Sequence, residues 1–242
     1  IAIDLDGQAT TSPPHTFSLT TRGVERPVFA YSYQIIDDIV GNRDGRVQHG
    51  EQVRLHVRVR NTGKGSSFRT VTTLKNLEGA SVFIRKGRFD LGRLAPGETR
   101  AVSFTFEVQP GYSSDAAKLE LTVYDDGLRE FVSDKLTFPI ATTSNPPKAA
   151  AGVAKVGSQQ VPFHAWAEEK SPVVGFAAKG ATFKVLGRVG DWVRVLATPD
   201  RPAFVRTRDV SLLATAAGAA NASSNATTKF TAVWQVTPPK VV

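Results

Sequence analysis

Between Pro27 and Ile140 apolar and polar residues alternate with a period of two, the spacing of strands that bury one face and leave the other to solvent. The plainest run is Val53, Leu55, Val57 and Val59 set against Arg54, His56, Arg58 and Arg60. Val102, Phe104, Phe106 and Val108 repeat it beside Ser103, Thr105 and Glu107, and Leu119, Leu121 and Val123 do so again. Between the runs stand Asn61-Thr62-Gly63, Ala95-Pro96-Gly97-Glu98 and Asp125-Asp126-Gly127, each able to close a turn through a side chain or a positive φ. Short strands at these intervals, with no amphipathic helical period, predict an antiparallel β-sandwich over residues 26–142.

The pattern then breaks. Residues 143–154 are small, polar and interrupted by Pro146-Pro147, which predicts a linker. A second β unit follows over 155–213, marked by Phe183, Val185 and Leu186, by Trp192, Val193 and Val195, and by Phe204 and Val205. A unit of this size is near the lower limit for independent folding, so it is expected to lean on its neighbour. Residues 214–229 are almost only Ala, Gly, Asn, Ser and Thr and are expected to be a flexible linker. The chain turns apolar again at Phe230, with Val233, Trp234 and Val236, so 230–242 is expected to be the first strand of a following domain. At the other end, Ile1–Leu5 and Phe17–Thr21 flank Ser12-Pro13-Pro14, and 1–25 is expected to be the terminal hairpin of a preceding β domain.

Composition narrows the chemistry. The chain of 242 residues has no Cys and no Met, which excludes disulfides, thiolate catalysis and Cys-based zinc sites. Ile1–Asp6 lacks the basic start and apolar run of a signal peptide, so a mature or excised fragment is expected. No apolar run approaches the roughly 18 residues of a membrane span, so no membrane insertion is expected. The net charge of +8 is spread thinly. Residues 26–142 hold 17 Lys or Arg against 14 Asp or Glu, and 143–214 hold 10 against 5. A nucleic-acid partner is not expected, because such surfaces cluster their positive charge and interleave aromatics with it. Gly-x-Ser-x-Gly, His-Glu-x-x-His and phosphate-binding Gly-rich patterns are all missing, so no catalytic site and no enzyme activity are expected within these residues.

Three constellations remain. The loop from Val40 to Glu51 fits a calcium-binding pattern, calcium being the one candidate cofactor, with Asp38, Asn42, Asp44, the Arg46 carbonyl and Glu51 as ligands and Gly45 at the sharp turn. The alternative is an Asx-rich turn leading into the strand at Val53. Arg54, Arg58 and Arg60, with His56, form a basic ridge roughly 20 Å long that could meet an anion. The alternative there is structural, with carboxylates such as Glu107 and Glu120 offsetting the charge. Phe163, Trp166, Trp192 and Phe204 are candidates to line a peptide or glycan groove, at least two of them serving the core. His164 reads as a rim residue, since His15, His49, His56 and His164 show no metal-like pairing.

Arg26-Pro27-Val28-Phe29-Ala30-Tyr31, Asp37-Asp38, Gly41-Asn42-Arg43-Asp44-Gly45 and Gly50-Glu51 resemble the start of a bacterial immunoglobulin-like domain, and Asn61-Thr62-Gly63 with Leu94-Ala95-Pro96-Gly97-Glu98 extends the likeness. Ser171-Pro172-Val173-Val174-Gly175, Lys179-Gly180-Ala181 and Gly190-Asp191-Trp192-Val193-Arg194-Val195 resemble a bacterial SH3-like domain, without that family's usual Asn-x-Arg-Ser-Gly-Pro stretch. The combination resembles the non-catalytic C-terminal region of myxobacterial-type tail-specific serine peptidases. The resemblance implies an all-β chain, an immunoglobulin-like antiparallel sandwich followed by a small SH3-like barrel, exported to the periplasm, cell envelope or exterior. It implies a protein or peptide partner whose position it fixes for a peptidase, with peptidoglycan anchoring or a purely structural spacer as the alternatives.

Overall fold

The computed structural model describes residues 23–38, 40–214 and 230–236. Most of the expected N-terminal hairpin (1–22), most of the expected flexible linker (215–229) and residues 237–242 lie outside the described residues. Among those described there is no α-helix, and every strand pairing is antiparallel apart from two isolated bridges.

The first eight strands are β1 (Phe29–Ile36), β2 (Gln52–Asn61), β3 (Thr70–Asn76), β4 (Val82–Ile84), β5 (Arg88–Gly92), β6 (Thr99–Val108), β7 (Ala116–Asp125) and β8 (Phe131–Pro139). They form two layers, β1-β2-β6-β4 and β5-β3-β7-β8. The alternating apolar positions face each other across the layers: Val53, Leu55, Val57, Val59, Phe104, Phe106, Leu119 and Val123 are fully buried, Leu121 nearly so. Each such side chain taken from water contributes roughly 1.5–3 kcal/mol, which is what drives the two sheets together. Asn61 closes the end of β2 from the inside. Its amide donates to the carbonyls of Gly65 (2.7 Å) and Leu94 (3.1 Å), and its oxygen accepts from the amides of Val28 (3.2 Å) and Gly63 (3.0 Å). Asp125 works alike at the β7–β8 turn, accepting from Phe68, Gly127 and Leu128.

The second unit comprises β9 (Lys148–Ala149), β10 (Val153–Val156), β11 (Val161–His164), β12 (Val173–Ala177), β13 (Thr182–Val189), β14 (Trp192–Thr198), β15 (Arg201–Arg206), β16 (Val210–Leu213) and β17 (Phe230–Ala232). Their order, β16-β10-β13-β14-β15-β11-β12-β17 with β9 on β13, makes a half-barrel around Phe163, Phe183, Val193, Val195 and Val205. The fold is the sandwich followed by a small SH3-like barrel.

Two boundaries differ from the sequence reading. The segment expected as a linker (143–154) contains β9 and the start of β10, paired to β13 and β16, because an exposed sheet edge there offers backbone partners to any strand-competent chain. Its first residues are fastened too, as Ser144 accepts from Asn42 (2.9 Å) and the Asn145 amide donates to Asp44 (3.1 Å). Of the segment expected to begin a following domain (230–242), the described residues 230–236 return: β17 pairs with β12, and β18 (Gln235–Val236) pairs with β1 of the sandwich. Phe230 explains the return. Its ring lies 5.5 Å from Phe163 and 6.3 Å from Phe183, and Gly175 leaves the space for it, since a Cβ there would stand 2.3 Å from the Phe230 ring.

Candidate functional site

The polar face of β2 looks into the second unit. His56 places Nδ1 3.1 Å from Ser103 Oγ and Nε2 3.0 Å from Asp200 Oδ2. The His56 ring so close to it is what chiefly holds the Asp200 carboxyl far below the usual carboxylate range. Beside it, Arg201 is buried, and its Nε donates to Gln34 Oε1 (3.0 Å) while the Gln34 amide donates to the Pro202 carbonyl. Burial first, then the nearby Arg58, pulls the Arg201 guanidinium down to about 10.

The ridge expected to bind anions is thus divided. Arg58 lies over the Trp234 ring at 5.6 Å, Arg54 has its Nε buried, and Arg60 stays exposed. Glu107 and Glu120 do not offset it: Glu107 reaches Arg85, and Glu120 stands opposite Lys135 in the other sheet. The charge is offset across the junction, by Asp200 and by the π-face of Trp234.

Where sandwich, half-barrel and returning strap meet there is an open cleft of about 430 Å³. Arg58, Thr99 and Arg100 come from the sandwich, Thr198 and Asp200 from the β14–β15 turn, and Phe230, Thr231 and Trp234 from the strap. Arg100 is held by Glu98 (2.9 Å) and by the Leu91 carbonyl. The cleft therefore offers a guanidinium, threonine hydroxyls, a carboxylate and two aromatic rings. That set suits a polar backbone bearing mixed side chains, and the volume lies within the range of small-ligand sites. Asp200, Phe230 and Trp234 were not foreseen beside Arg58 in the cleft, because the apolar signal of 230–236 says nothing of which sheet receives it.

The expected aromatic groove does not form. Phe163 and Phe204 are core, and Trp192 is buried between His164 (5.0 Å) and the Arg206 guanidinium (4.4 Å). Trp166 is half-buried at the junction instead, under Arg46 (5.6 Å), and donates to Glu168 (3.1 Å). In a unit this small the large rings are needed to fill the interior. His164 is buried as well, with Nδ1 3.2 Å from Ser171.

Of the expected calcium ligands, Asp38 turns away to Arg194 of β14. Arg46, expected to contribute its carbonyl, sends its side chain to Glu168 at 2.9 Å. Asn42 Nδ2 donates to Gln48 (2.6 Å), while Asp44 accepts from the Arg46 amide (2.9 Å) and from Gln48 (3.0 Å). Asp37, which the reading passed over, is the carboxylate that points inward beside Glu51. Among the described residues no three His, Cys, Asp or Glu side chains converge as a metal cluster. The loop also fixes the second unit: Gly45 (φ +82°) approaches it so closely that a Cβ would stand 2.4 Å from the Ala165 carbonyl oxygen.

Residues 37–132 match the CARDB family, immunoglobulin-like β-sandwiches typical of extracellular or cell-envelope bacterial proteins. No curated protein matches the chain. A solved β-glucosidase from Paenibacillus barengoltzii is similar at 13% identity over 70% of this chain and 20% of its own, with a TM-score of 0.23. This chain spans about a fifth of that protein's length, and an overlap so loose carries no argument. No helix among the described residues is long and apolar enough to cross a membrane.

Proposed function

We propose that the chain is a non-catalytic accessory region of an exported bacterial protein, and that it holds a protein or peptide ligand in the cleft between sandwich, half-barrel and strap. The observation that carries this reading is the meeting of Arg58, Asp200 and Trp234, drawn from three separate stretches of chain, in one open cleft of about 430 Å³. A cleft built on two docked sheets is presented rigidly, so little ordering cost is left to the ligand-binding step. The CARDB match supports an extracellular setting. The resemblance to tail-specific serine peptidases gives the finer form of the proposal: the parent would cut, and this region would position what is cut. Wall anchoring is the weaker reading, because Phe163, Trp192 and Phe204, which would have to face a glycan, are committed to the interior.

The test uses fluorescein-labelled, unfolded casein as a generic polypeptide. Titration with the chain should raise its anisotropy and leave it uncut on a gel. The pair Arg58→Glu and Trp234→Ala should weaken binding by at least about tenfold, as expected for losing roughly 1.4 kcal/mol or more of an aromatic and charged anchor. Cleavage of casein, or binding indifferent to the pair, would overturn the proposal.

A further inference from the structure

We infer that the loop between β1 and β2 holds a calcium ion, bound by Asp37 and Glu51 with the main-chain carbonyl of Asp37, and that this ion stiffens the junction between the two units. The site differs from the one expected from sequence spacing, in which Asp38 was a ligand.

Asp37 is 1% exposed and Glu51 8%, yet Asp37 Oδ1 and Glu51 Oε2 have no hydrogen-bond partner. Their other oxygens are engaged: Asp37 Oδ2 accepts from the Gly45 amide (3.1 Å) and Glu51 Oε1 from the Asn42 amide (3.0 Å). A buried carboxylate oxygen without a partner is costly, and two in one pocket repel each other besides. Neither has a basic partner among the described ion pairs, and neither does Asp44, also buried; Arg194 is taken by Asp38 and Arg46 by Glu168.

Gly41 lets these two groups close on one another. A Cβ on it would stand 2.2 Å from Glu51 Oε1, 2.5 Å from the Asp37 carbonyl oxygen and 2.7 Å from the Asp37 Cβ. The Glu51 carboxylate and the Asp37 carbonyl oxygen therefore both pack against the Gly41 main chain. Calcium accepts mixed carboxylate and carbonyl oxygens in adaptable geometry, whereas magnesium demands a near-ideal octahedron. The same loop sends Asp38 to Arg194, Arg46 to Glu168 and Gly45 against Ala165, so fixing it fixes the docking.

Thermal unfolding of the full chain at neutral pH is compared in chelator, in calcium chloride and in magnesium chloride of equal concentration. At about a hundredfold excess over Kd, calcium should raise Tm by roughly 5–10 °C, and magnesium by less than half as much. Glu51→Gln and Asp37→Asn should each abolish the calcium response, while in chelator Glu51→Gln should melt no lower than the unaltered chain, since it removes a repulsion. The proposal is overturned by an unaltered chain whose Tm ignores millimolar calcium, by an equal response to magnesium, or by a calcium response that survives both substitutions.

Discussion

Two single residues carry more of the architecture than their size suggests, and each can be probed alone. Asn61 satisfies four main-chain groups at the end of β2. Asn61→Ala leaves several of them buried without partners, which should cost about 3 kcal/mol and lower Tm by roughly 6–12 °C in thermal melts. Asp200 is held below its ordinary carboxylate range chiefly by its close contact with His56. A depressed folded value means the pair stabilises above the unfolded value near 3.8 and loses that contribution as pH falls through it toward the folded value. Asp200→Asn should therefore flatten the acid side of the Tm profile below about pH 4.5 and lower Tm at neutral pH; an unchanged acid limb would refute the coupling. Much at this scale was legible in the sequence: Asn61, Gly97 and Asp125 are turn chemistry written in local residues. Asp37 was not, because Asp37 and Asp38 are adjacent, and only the bend after β1 decides which turns inward and which reaches Arg194.

At the scale of elements, alternation locates β2, β6 and β7 well because a one-residue slip would expose every apolar side chain they bury. The strap is where the same logic gives no answer. A three-residue strand such as β17 has no period of its own, and its place is set by Phe230 finding the space beside Gly175. Phe230→Ala should therefore release the strap more than it weakens the sandwich, by roughly 2–4 kcal/mol. Hydrogen exchange should report it as amide exchange in 230–236 faster by more than tenfold, with β7 little changed. Equal acceleration in β7 would mean that strap and sandwich unfold as one cooperative unit. β9 and β10 escaped notice for a related reason: Pro147, Gly152 and a run of alanines resemble a spacer until a neighbouring edge supplies partners.

At the scale of the whole molecule, part of the polar face of the β1-β2 sheet and the loop between them is an internal surface. Asp38, Arg46, His56 and Gln34 all meet the half-barrel, and the strap crosses from one unit to the other. The basic ridge thereby changes meaning: His56 braces the junction through Asp200, and Arg58 looks into the cleft with Trp234. No local feature of β2 could disclose this, since the partners Asp200 and Trp234 are more than a hundred residues away. Hydrogen-exchange footprinting with saturating unfolded casein tests the central claim most directly. The account predicts protection concentrated at Thr198–Asp200, Thr231–Trp234 and the facing Thr99–Ala101, with the outer face of β5-β3-β7-β8 unaffected; protection confined to that outer face, or none at the cleft, would contradict it.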